Sequence, residues 1–79
     1  MPLPVTAYVV VLTFLSAIAG HPKQAVVPCP TAVCAHEFME HAHESRLLSR
    51  LRVWKEEDFS PLSLGDRYVW PPIVDLWFQ

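Results

Sequence analysis

The chain has 79 residues, a formal net charge of -2 and 52% hydrophobic residues, with two cysteines, eight prolines and two glycines. One small domain fits that length, which excludes barrels and doubly wound sheets. With six Lys+Arg against eight Asp+Glu the whole chain is not a polycation, so general nucleic-acid binding is not implied.

The amino terminus carries no charged side chain through Gly20, and Val5 to Ala19 reads VTAYVVVLTFLSAIA. Residues 1–19 fit a cleaved signal peptide, because Ala17-Ile18-Ala19 is a small-x-small site after an apolar core. Gly20 would then be the first mature residue. The alternative is a retained single-pass anchor. Pro2, Pro4, Gly20 and Pro22 leave about 15–17 usable residues, against roughly 20 for a span. Lys23 as the first fixed charge would then favour a cytoplasmic carboxyl side. A buried core helix is the third reading.

Residues 20–30 read as a Pro-rich linker that ends near the cysteines. In a secreted context Cys29 and Cys34 suggest one disulfide. Its small ring would be worth about 2 kcal/mol in chain entropy. Residues five apart on a helix point about 140° from each other. The bridge therefore needs a turn, which Pro28 and Pro30 favour. Alternatively a helix starts at Thr31 as N-cap, placing Cys34 in the first turn, where the dipole favours a thiolate. Two unpaired thiols are the remaining option.

Residues 31–58 form the third segment. Thr31 to Asp58 holds no Pro or Gly and is rich in helix formers, so it predicts a helix. Its periodicity is inconsistent. Ala35, Phe38, Met39 and Ala42 share one face, while Leu47, Leu48, Leu51 and Trp54 share another, rotated by roughly 160°. Either the helix breaks near His43–Ser45 or it lies between two partners. His36, Glu40 and His43 at i, i+4, i+7 offer a metal site as the alternative to a solvated polar face. Arg46, Arg50, Arg52 and Lys55 then precede Glu56, Glu57 and Asp58, a switch from basic to acidic. The four cations could meet an anionic membrane surface.

This plan resembles the amino-terminal organisation of oomycete RxLR-dEER secreted effectors. The stretch RLLSRLRVWKEED carries the resemblance. Arg46-Leu47-Leu48 matches the first three motif positions, with Ser49 where the last Arg belongs. Ser49-Arg50-Leu51-Arg52 matches the last two positions, with Ser at the first, and Glu56-Glu57-Asp58 is similar to the acidic partner, with Asp in place of Arg. The resemblance implies secretion, transfer into a plant host cell and interference with defence, with Arg46, Leu48, Arg50, Leu51, Arg52, Glu56, Glu57 and Asp58 as the targeting motif. A second similarity, to cytochrome c oxidase subunit VIa, rests on Leu51-Arg52-Val53, Phe59 and Gly65-Asp66 in order. It implies an accessory subunit of a membrane complex.

Residues 59–79 form an aromatic, Pro-rich tail. Ser60-Pro61-Leu62-Ser63-Leu64-Gly65 has the order N-cap, first-turn Pro and Gly terminator, so it predicts one helical turn. Arg67-Tyr68-Val69-Trp70 suits a short strand ended by Pro71-Pro72. Trp54, Tyr68, Trp70, Trp77 and Phe78 are the candidates for partner contact, because Tyr and Trp favour interfaces. Packing of these rings on the chain's own leucines is the competing use.

The expected fold is therefore small and mainly α: a removable apolar helix, one interrupted amphipathic helix and an irregular, partly disordered tail. The expected function is binding to a protein partner by a secreted, host-directed protein, or membership of a membrane complex. Nothing in the Ser, His and Asp spacing suggests a triad, and there is no glycine-rich phosphate loop. Hence no catalysis, cofactor or small-molecule substrate is expected.

Overall fold

In the computed structural model, which describes residues 6–18, 21–65 and 69–78, the amino-terminal apolar run is extended. It forms strand β1 (Tyr8–Ile18), followed by β2 (His21–Cys29) and helix α1 (Ala32–Ala42). Then come β3 (Leu48–Lys55) and β4 (Val74–Trp77). Two short 3₁₀ turns, Glu56–Asp58 and Pro61–Leu64, lie between β3 and β4. The strands make one antiparallel sheet in the order β2-β1-β3-β4.

The mainly α expectation is thus corrected to a four-stranded sheet with one helix. The cause lies in β1. It is an inner strand, with Val10 opposite both Val27 and Val53, and Leu12 opposite both Ala25 and Leu51. An inner strand covered on both faces is apolar at odd and even positions alike, so the period of two disappears. What remains is an unbroken apolar run, which also describes a leader or a buried helix. β2 replaces the expected linker. It is an edge strand, where Pro22 and Pro28 can be accommodated without breaking the interior of the sheet.

The segment 31–58 divides where its periodicity changes. α1 begins at Thr31, whose Oγ1 accepts the Cys34 N–H at 3.2 Å, and it ends with His43 as C-cap. Ala35 and Ala42 are buried, and Phe38 and Met39 pack beside them, as the first apolar face requires. After the break the chain is a strand. Successive β3 side chains go to opposite faces of the sheet. Leu51 and Val53 join α1, Val10 and Cys29 in one core. Trp54 joins Val9 and Val11 in the other, under Phe59 and Leu64.

The second face is covered by the 3₁₀ segment. Ser60 caps it by accepting the Leu62 N–H at 3.3 Å, with Pro61 at the start and Gly65 at the end, as predicted. Arg52, 1% exposed, fixes this cover. Its guanidinium donates to the carbonyls of Ser63 at 3.1 Å and of Leu64 and Gly65 at 3.4 Å, 5.3 Å from the Trp54 ring. The expected strand at 67–70 falls partly outside the described residues.

Candidate functional site

The residues selected from the sequence are scattered by this fold. Arg46 is exposed in the loop after α1, but Leu48 and Leu51 are core residues. Arg50 lies along β3, donating to both Asp75 carboxylate oxygens at 2.8 and 2.7 Å with its guanidinium 4.0 Å over the Trp77 ring. Arg52 is interior. Glu56, Glu57 and Asp58 form the first 3₁₀ turn rather than a helix end. The four cations and three acids therefore do not form one accessible recognition strip.

The aromatic candidates separate in the same way. Trp54 is fully buried and donates its indole N–H to the Trp70 carbonyl at 2.8 Å. Its ring meets Phe59 edge-on at 5.6 Å. Phe78 is half-buried against His43, ring to ring at 5.4 Å. Trp70 and Trp77 remain on the surface, 59% and 69% exposed. Tyr68 lies outside the described residues.

Of the proposed metal ligands, two meet: His36 Nε2 is 3.1 Å from Glu40 Oε1, one turn apart on the exposed side of α1. His43 is drawn off to Phe78. Among the described residues no three His, Cys, Asp or Glu side chains converge as ligands.

Cys29 and Cys34 are brought together as free thiols, their Sγ atoms 2.7 Å apart. Cys29 is buried at the end of β2, and Cys34 is half-buried in the first turn of α1. Burial pushes the Cys29 thiol up to about 12, reinforced by the hydrogen bond and by charge on Cys34.

A cavity opens where the start of β1, the end of β3 and the start of β4 meet α1. Its volume is about 630 Å³, and its walls are mostly apolar. From the helix come Val33, His36, Glu37 and Glu40, which stand at i, i+3, i+4 and i+7 on one face, flanked by Met39. The opposite wall is Ile73, Val74, Val53 and Tyr8. Val33 and Ile73 are 67% and 53% exposed although both are large and apolar. Pro71 and Pro72 extend the chain into Ile73, whose N–H donates to the Val53 carbonyl at 2.8 Å. Chemically this is an apolar slot with carboxylates on its rim. The sequence carried one signal for it, Val33 standing off the core face of α1. The opposite wall is assembled by strand pairing and had none.

Two further facts concern delivery. Residues 8–18 are the inner strand, so a chain cut after Ala19 lacks the strand that joins β2 to β3. Among the described residues no helix is long and apolar enough to cross a membrane. No known protein family, curated protein or solved structure matches the chain.

Proposed function

We propose that the protein acts by binding, and that it receives a polypeptide partner in the slot between α1 and β4. The observation that supports this reading is the slot itself, where Val33 and Ile73 leave apolar surface in water on facing walls. The partner places an apolar side chain between them and a Lys or Arg against Glu37 and Glu40. Rim charges of this kind guide orientation and speed association more than they add affinity.

The test is selection of displayed peptides on the immobilised full chain. Apolar peptides with a neighbouring cation should be enriched. Val33→Asp and Ile73→Asp should each weaken their binding at least about tenfold, since either puts a charge where the bound peptide must exclude water. Glu37→Gln with Glu40→Gln should reduce binding more at low salt than at high salt. No enrichment, or binding indifferent to both Asp substitutions, contradicts the reading.

A further inference from the structure

The chain's two thiols come from different elements and meet at one point. Cys29 closes β2, Cys34 opens α1, and only Pro30 to Val33 separate them. Their environments differ. Cys29 is 1% exposed and packed in the core shared with Val10, Ala35 and Leu51. Cys34 is half-buried, in the first turn of an 11-residue helix capped by Thr31.

We propose that Cys29 and Cys34 form a redox couple whose oxidant is a small-molecule disulfide of the glutathione class, with Cys34 as the entering thiol and Cys29 as the resolving thiol. The order follows from access. Attack on a dissolved disulfide needs a thiolate that the disulfide can reach. Cys34 has that access, because it is half-buried in the first turn of α1 whereas Cys29 is 1% exposed. Cys29 is shielded, and burial keeps it protonated. It needs no approach to solvent, because its Sγ is already 2.7 Å from the sulfur it must attack.

The chemistry balances with that one oxidant. The Cys34 thiolate attacks one sulfur of oxidised glutathione, a Cys34–glutathione bond forms, and one glutathione thiolate leaves. Cys29 then gives up its proton and attacks Cys34 Sγ. The Cys29–Cys34 bond forms and the second glutathione thiolate leaves. Two protein thiols are oxidised by two electrons, and both electrons and both protons end on two glutathione thiols. The product ties the end of β2 to the start of α1.

The experiment treats the reduced full chain with oxidised glutathione, quenches it with acid and alkylates it for intact-mass analysis. The wild-type chain should lose both alkylatable thiols and end two hydrogens lighter, with no glutathione retained. Cys29→Ser should instead accumulate one glutathione on Cys34, and Cys34→Ser should react at least about tenfold more slowly. In the unmutated reduced chain, limiting alkylating agent should label Cys34 ahead of Cys29 by a similar margin. That measurement holds even where a serine disturbs the fold. A wild-type chain that keeps two alkylatable thiols, or that stops at a stable mixed disulfide, overturns the couple. Labelling of Cys29 as fast as Cys34 overturns the order.

Discussion

Arg50 and Arg52 stand two apart on one face of β3 and do different work. Arg52 is buried and holds the 3₁₀ cover through backbone carbonyls. Arg50 stays near the surface and grips Asp75 with two hydrogen bonds. The Arg50 hydrogen bonds hold the Asp75 carboxyl below its usual range, partly offset by burial and helped by the charges of Arg50 and Arg52. A carboxyl depressed in the folded state binds protons more weakly there than in the unfolded chain. Its stabilisation is therefore complete above the unfolded value, about pH 4, and is lost as pH falls through the lowered folded value. Asp75 is 33% exposed, so the pair is screened. Asp75→Asn should cost about 1 kcal/mol or less at neutral pH. It should also flatten the acid side of the stability profile, read as urea midpoints between about pH 7 and 3. An unchanged acid slope in the variant contradicts this role.

At the scale of elements, β3 joins the two faces of the sheet and β4 closes its edge. Trp54 fills the core beneath Phe59 and Leu64, whereas Trp77 lies over Arg50 with its ring largely in water. Trp54→Ala should cost about 3–5 kcal/mol. Trp77→Ala should cost under about 1 kcal/mol. Denaturant unfolding of both variants checks the contrast, and equal losses would refute the placing of Trp54 in the core and Trp77 at the surface. The same elements explain which parts of the fold could be read in advance. Local chemistry was legible: the Thr31 cap, the apolar face of α1, the break near His43–Ser45 and the Ser60–Gly65 turn. Long-range pairing was not. Leu48, Leu51 and Trp54 stand three apart, which suits one helix face, yet as a strand Leu51 and Trp54 point to opposite sides. Only the partners β1 and β4 decide between these options, and neither is local. The slot was hidden for the same reason, since strand pairing brings Val53 and Val74 together and sets Ile73 beside them.

For the whole molecule, the consequence is that two small cores share one strand. Val10 serves the α1 side, while Val9 and Val11 serve the side under the 3₁₀ cover. A domain of 79 residues has only about 4–12 kcal/mol of stability in total. Neither core can survive removal of the strand they share. The residues that read as a removable leader are thus, in this fold, the centre of the sheet. The most direct test compares the full chain with residues 20–79 by far-UV circular dichroism and thermal unfolding. The account predicts a sheet-dominated spectrum with one cooperative transition for the full chain, and neither feature for the shortened one. A shortened chain that unfolds cooperatively, with a helical spectrum from residues 31–58, would contradict it.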